Sequence, residues 1–304
     1  MHYRTKIKLL SAVLTLLTLV LIATFILDPD RLVSQNAIFA WLPPRQRDRV
    51  DRLEITGDTG TVYLVKDSAW SVNRNGTLYP AKPARVEDVL QILSYTDKYP
   101  LYSTNANSHA RLGLTEDTAS RIVARAGNEL VMDLLIGDSN ATATERYLRK
   151  NGSDEVRSGL DTLSGYLSSP LTAWSNLRLF LESSVTVADV QRIIVSKSDS
   201  EAWVISRSAN GWLLGERTAN TQKVESYIRA VLDTEAEDFS AEPVGTSESR
   251  IDIETGNGAL YTIRLGASTD TNQRTAALSG SQFTYTLAAW TLSRILPSDV
   301  DYFF

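Results

Sequence analysis

Most of this chain is written twice, and that duplication limits its fold more than any single motif does. Val50-Asp51-Arg52-Leu53-Glu54-Ile55 is echoed 140 positions later by Val190-Gln191-Arg192-Ile193-Ile194-Val195, and Tyr63-Leu64-Val65 by Trp203-Val204-Ile205 at the same offset. Trp70-Ser71-Val72 then matches Trp212-Leu213-Leu214. β-Branched and aromatic residues dominate these blocks, and Gly57-Asp58, Asp67-Ser68 and Asn210-Gly211 punctuate them, so each reads as two or three short strands. A helix follows in both halves. Val86, Val89, Leu90 and Leu93 have the spacing of one apolar helix face, and Val224, Tyr227, Ile228 and Val231 repeat it at an offset of 138. Gly127-Asn128 and Leu134-Leu135-Ile136-Gly137 correspond to Gly256-Asn257 and Ile263-Arg264-Leu265-Gly266 at an offset of 129, the pattern of a hairpin that ends in glycine. Each half closes with a strand pair, around Tyr147-Leu148-Arg149 and Val156 or around Ala276 and Phe283. A final helix follows at Leu160 to Leu167 and at Leu287 to Leu296.

The unit is therefore strands, helix, strands, helix, built twice: an α+β class with mostly antiparallel sheets. The repeats are expected over residues 48–181 and 185–304, joined at Glu182-Ser183-Ser184. So short a connection leaves the halves little freedom to separate.

Ahead of the repeats, Leu9 to Leu27 is free of charge, and as a helix it would span about 28 Å, close to the thickness of bilayer hydrocarbon. Arg4, Lys6 and Lys8 in the basic tip, residues 1–8, precede it and Asp28-Pro29-Asp30 follows. The expectation is a single-pass signal anchor over 9–27 in the inner, cytoplasmic membrane, with the N-terminus in the cytoplasm and the bulk extracytoplasmic or periplasmic. Phe25-Ile26-Leu27-Asp28-Pro29 has no small-residue pair for cleavage, so retention is favoured. Residues 28–47 form a juxtamembrane linker. Its Ile38, Phe39, Trp41 and Leu42 suit either an interfacial segment or a short piece packed on the folded body.

The chain contains no cysteine and two histidines, His2 and His109, which removes thiolate nucleophiles, disulfides and two-histidine metal centres. A formal charge of -5 argues against general nucleic-acid binding. Gly256-Asn257-Gly258 lacks the third glycine of a dinucleotide loop and reads as a hairpin turn. His109 reads as a loop residue, and Asp233, Glu235, Glu237 and Asp238 as a solvated run after a helix rather than a catalytic acid pair. Trp70 and Trp212 read as equivalent core residues rather than stacking platforms. Asn75, Asn140 and Asn151 begin sequons that otherwise mark polar turns. Tyr302-Phe303-Phe304 is either a partner anchor or packing on the second repeat's own surface. No catalytic, cofactor-binding or metal-ligating residue is assigned, and no cofactor is expected.

The N-terminal segment, the strand-ending Trp70, the Pro80-Ala81 helix start with Val86 and Leu90 behind it, the Leu112-Gly113-Leu114 turn, Ile136-Gly137 and the aromatic strand Tyr147-Leu148-Arg149 together resemble the bacterial domain of unknown function 4340 family over most of residues 50–300. The chain departs from that pattern in having Arg111-Leu112 where a tyrosine is usual, and the second repeat lacks the Gly-Leu turn. The resemblance implies a membrane-anchored protein encoded beside ABC-type transport components, including a permease and a gliding-type auxiliary protein, and it supplies no catalytic positions. The function expected is a non-enzymatic accessory or scaffold subunit engaged in protein–protein interaction. The alternative is an envelope ligand-binding module for polysaccharide, lipid or peptide in an inter-repeat groove.

Overall fold

Strand alternation builds the first repeat. In β2 (Arg52–Gly57), Leu53 and Ile55 point into the core while Arg52 and Glu54 point away from it. β3 (Gly60–Lys66) does the same with Val62 and Leu64, and β4 (Trp70–Arg74) with Trp70 and Val72. The structure, a computed structural model, describes residues 13–18, 38–181, 184–197, 200–246 and 248–304. These belong to two compact units, Met1–Trp174 and Ser175–Phe304.

In unit 1, β1 (Ile38–Phe39) and α1 (Pro44–Arg47) precede a meander of β2, β3, β4 and β5 (Thr77–Pro80). Helix α2 (Pro83–Ser94) crosses the sheet's inner face, burying Val86, Val89, Leu90 and Leu93, each worth roughly 1.5 to 3 kcal/mol relative to exposure. β6 (Asp97–Lys98) pairs with β1, and β7 (Leu101–Ser103) forms the far edge of the sheet. The chain returns through residues 104–119 to the sheet centre as β8 (Ser120–Ala126), then runs outward through β9 (Glu129–Ser139), β10 (Arg146–Lys150) and β11 (Val156–Gly159). The resulting order is β5-β4-β3-β2-β8-β9-β10-β11-β7, all antiparallel. Short helices α3 (Ser164–Leu167) and α4 (Leu171–Trp174) close the core with Leu167 and the fully buried Trp174. Gly57 has to be glycine, because the Leu167 carbonyl oxygen lies 1.9 Å from where its Cβ would stand.

Unit 2 repeats the nine-stranded sheet and the long helix of this plan. β12 (Val190–Lys197), β13 (Ser200–Ser208), β14 (Gly211–Leu214) and β15 (Arg217–Ala219) lead into α5 (Thr221–Leu232). β16 (Asp238–Ser240), β17 (Ser249–Thr255), β18 (Leu260–Ser268), β19 (Arg274–Leu278) and β20 (Thr284–Leu287) follow, ending in α6 (Ala289–Ile295). The order β15-β14-β13-β12-β17-β18-β19-β20-β16 is that of unit 1. The α5 face expected from the repeat, Val224, Tyr227, Ile228 and Val231, is wholly buried.

Three details differ from the sequence reading. First, the Tyr63 block does not align with Trp203 at an offset of 140. Leu53 pairs with Leu64 and Ile193 with Ile205, so the structural counterpart of Tyr63-Leu64-Val65 is Val204-Ile205-Ser206. A slip of one residue would turn every side chain to the opposite face, and burial of both Leu64 and Ile205 decides the register. Second, Ser175 to Leu181 belongs to unit 2 rather than ending the first repeat: Leu179 N donates to Thr234 O at 3.0 Å and Ala236 N to Leu177 O at 2.9 Å. Third, the linker is not all linker. Leu42 is fully buried and its N–H donates to Leu93 O at 2.9 Å, while Phe39 and Trp41 stack edge-on or tilted against Tyr99. Residues 38–47 thus pack on unit 1, the second of the two arrangements open to them.

The anchor 9–27 lies outside the described residues except for residues 13–18, which are helical and exposed; the basic tip and residues 28–37 also lie outside. Among the described residues no helix is long and apolar enough to cross a membrane.

Candidate interaction surface

The reverse faces of the two sheets are where the repeats part company. In unit 1, residues 104–119 fold over β9 to β11 and bury Leu112, Leu114, Leu135 and Val156 in a second, smaller apolar cluster. Arg149 fastens this cover, donating to Leu114 O at 2.9 Å and Ser153 O at 3.1 Å. Gly113 takes the left-handed conformation, φ 67°, which the turn between the two leucines requires. Gly137 lets the cover approach, since the Leu112 carbonyl oxygen lies 2.1 Å from its would-be Cβ.

Beside the cover, the reverse face of β8, β2, β3 and β4 stays open. It forms a concavity of about 670 Å³ whose walls include Arg52, Glu54, Tyr63, Asn73, Arg74 and Arg125 over a floor containing Val65 and Val123. The ladder places these side chains. Arg52 stands directly opposite Arg125 on one side and Val65 on the other, Glu54 lies between Val123 and Tyr63, and Tyr63 faces Asn73. Arg74 sits 5.4 Å from the Tyr79 ring. Like charges directly opposite across a ladder are destabilising, and among the described residues neither Arg52 nor Arg125 has a carboxylate at ion-pair distance. The equivalent pair in unit 2 is Arg192 and Glu254, a salt bridge of 3.5 Å. The second repeat therefore shows the neutralised version of a pair that is doubly positive in the first.

Further along the same ladder, Arg121 grips the buried Asp133 with two hydrogen bonds, 2.8 Å from Nε and 2.6 Å from Nη2, and Asn151 Nδ2 donates a third at 2.9 Å. Burial pushes the Asp133 pKa up, but the hydrogen bonds from Arg121 and Asn151 and the arginine's charge outweigh it and hold the carboxyl below its ordinary value. In unit 2 the arginine is retained as Arg250, while the carboxylate moves from β9's position to β17 as Asp252, bonded to Arg250 Nε at 2.8 Å and Thr262 Oγ1 at 2.7 Å.

The residues weighed for chemistry from the sequence do not converge. His109 lies in the cover, its Nε2 3.2 Å from Asp154 O. Of the acidic run, Asp233 pairs with Arg178 at 2.8 Å, Glu237 accepts from Gln273, and Asp238 accepts from the Phe239 N–H. Asn75 occupies the β4–β5 turn at φ 52°, Asn140 accepts three bonds inside its own loop, and Asn151 serves Asp133. Trp70 and Trp212 are buried at equivalent core positions, each under an equivalent cation: Lys66 Nζ 5.6 Å and Arg207 Cζ 4.5 Å from the ring centre. Phe303 is fully buried against Tyr227 and Trp203, so the terminal aromatic cluster packs on unit 2 with Tyr302 partly exposed. Among the described residues, no three His, Asp or Glu side chains come together as a metal site. Arg52, Arg125, Tyr63 and Asn73 were not singled out in the sequence. The available signal was the repeat itself, because Arg125 stands against Glu254 at the offset of 129.

Comparison with curated proteins and with solved structures gives no match. The family model described as a domain of unknown function, DUF4340, matches residues 70–252, from β4 of unit 1 to β17 of unit 2. That match spans more than half of the chain and crosses from one repeat into the next, and by it the protein belongs to the DUF4340 family.

Proposed function

We propose that the protein is a non-enzymatic accessory subunit, anchored in the cytoplasmic membrane through residues 9–27 with its two α+β units outside, and associated with an ABC-type transport or gliding-type complex. The observation that carries this reading is the docking of Phe39, Trp41 and Leu42 on unit 1. With that segment fixed, only residues 28–37 separate the body from the end of the apolar stretch, and they can extend at most about 35 Å. Such a tether keeps unit 1 at high effective concentration beside a membrane partner. The open reverse face of its sheet then supplies a surface for contact. Arg4, Lys6 and Lys8 favour the N-terminus inside, and the encoding of family members beside ABC-type components, which the resemblance implies, supports this class of complex.

The absence of cysteine allows a direct test of orientation. Thr104→Cys, at an exposed position, is expected to react with a membrane-impermeant maleimide in spheroplasts; reaction only after lysis would overturn the placement. A pull-down from mild detergent is expected to recover transporter subunits, and recovery of none while a known membrane complex survives would count against the assignment.

A further inference from the structure

We infer that the open concavity on unit 1 binds an extended acidic segment of a partner protein, with Arg52 and Arg125 as its carboxylate clamp. The inference rests on the accessory-subunit reading only in taking the occupant to be protein. Its first support is internal to the molecule. Two sheets of the same strand order place a residue pair at the same ladder position, and in unit 2 that pair is Arg192–Glu254, whereas in unit 1 it is Arg52–Arg125. Two exposed guanidiniums on adjacent central strands repel each other, and an anion between them removes the repulsion. The second support is complementarity. The lining brings Arg52 and Arg125 together beside a single carboxylate, Glu54, on a chain of formal charge -5.

The geometry also selects a peptide over a uniformly anionic ligand. The concavity runs across β8, β2, β3 and β4, three inter-strand spacings or about 14 Å, which suits roughly four extended residues. Glu54 stands among the arginines, so a polyphosphate or a phospholipid surface would bring negative charge against it. A peptide can instead turn a backbone N–H or a hydroxyl toward Glu54 while its carboxylates meet the arginines. Val65, Val123 and the exposed Tyr63 ring lie against the peptide backbone and the Cβ groups of its acidic side chains, whose alternate residues point away from the sheet.

The test uses the full chain in detergent and three labelled eight-residue peptides in which Val alternates with Asp, Asn or Lys. Anionic phosphatidylglycerol vesicles and inorganic polyphosphate serve as further probes. Saturable, salt-sensitive binding of the Asp peptide alone is expected. Arg125→Glu gives the residue pair present in unit 2 but also removes Arg125's attraction to Asp133, so it should still unfold cooperatively on heating, while weakening Asp-peptide binding by about tenfold or more. Glu54→Gln should tighten binding several-fold, an effect that a misfolded variant could not produce. Equal binding of the Asp and Asn peptides would overturn the inference. So would undiminished binding by folded Arg125→Glu, or arginine-dependent binding of vesicles or polyphosphate without the Asp peptide. Because the probes are synthetic, failure here leaves the pull-down result standing, and failure of the pull-down leaves this result standing.

Discussion

In unit 1 the connection from β7 to β8 runs through residues 104–119 and covers the reverse face of the sheet; in unit 2 the same connection, residues 241–248, is shorter. The strand residues beneath follow suit. Leu135, fully buried under the cover, has Arg264 as its exposed counterpart, and Gly137, pressed by the Leu112 carbonyl, has Gly266, whose nearest neighbour is the Thr275 hydroxyl. The inner faces stay alike, with Val86, Val89, Leu90 and Leu93 matched by Val224, Tyr227, Ile228 and Val231 and one tryptophan matched by the other. The inner face carries the fold, because it holds the apolar area that makes each sheet stable. The reverse face is free to differ, and in unit 1 it carries a cover and an arginine pair with no carboxylate at ion-pair distance among the described residues.

The comparison can be broken most severely at the shared tryptophans. Trp70→Ala and Trp212→Ala should each cost about 4 kcal/mol, felt in the mutated unit, by thermal unfolding and by hydrogen exchange read separately over the two units. A markedly smaller loss at one of them would show that the two cores are not equivalent.

Gly137→Ala should cost about 3 kcal/mol, since its Cβ meets backbone at 2.1 Å and the cover must lift. Gly266→Ala should cost about 1 kcal/mol, because the Thr275 hydroxyl at 2.5 Å can rotate away. Equal losses in urea unfolding would remove the cover as the source of the asymmetry.

Asp133→Asn should destabilise unit 1 by about 2 kcal/mol, with the partial exposure of Arg121 keeping the figure below that of a fully buried pair. The sign of its pH dependence follows from the lowered pKa: the stabilisation is present above the unfolded-state value near 4 and fades as pH falls below it toward the folded value. Wild-type and Asp133→Asn melting curves should therefore converge in acid, and curves that stay parallel from pH 7 to acid would refute the assignment. Replacing Val123 with Asp and Asp133 with Thr together imports unit 2's arrangement and should recover part of the loss of Asp133→Thr alone, as read from a double-mutant cycle.

The smallest asymmetry is at the helix starts. Asn220 caps α5 by accepting from Lys223 N at 3.1 Å, whereas α2 begins with Pro83 and no side-chain cap. Asn220→Ala should cost about 1 kcal/mol in the same thermal assay.

Sequence alone determined the duplication, the element types and the inner-face residues, because helix and strand periodicities and turn glycines act over a few positions. It also marked Trp70 and Trp212 as paired core residues. Tertiary structure alone decided that β2 pairs with β8, and with that pairing that Arg52 meets Arg125 while Arg192 meets Glu254. It likewise set the one-residue register change in the second hairpin, the transfer of 175–181 to unit 2 and the docking of Phe39 and Trp41 on Tyr99, whose buried hydroxyl is raised to about 12 by desolvation and by nearby Asp97 and Tyr95. The reason is physical: those outcomes depend on strand pairing and packing between segments distant in the chain, and no local pattern records which strand a given side chain will face.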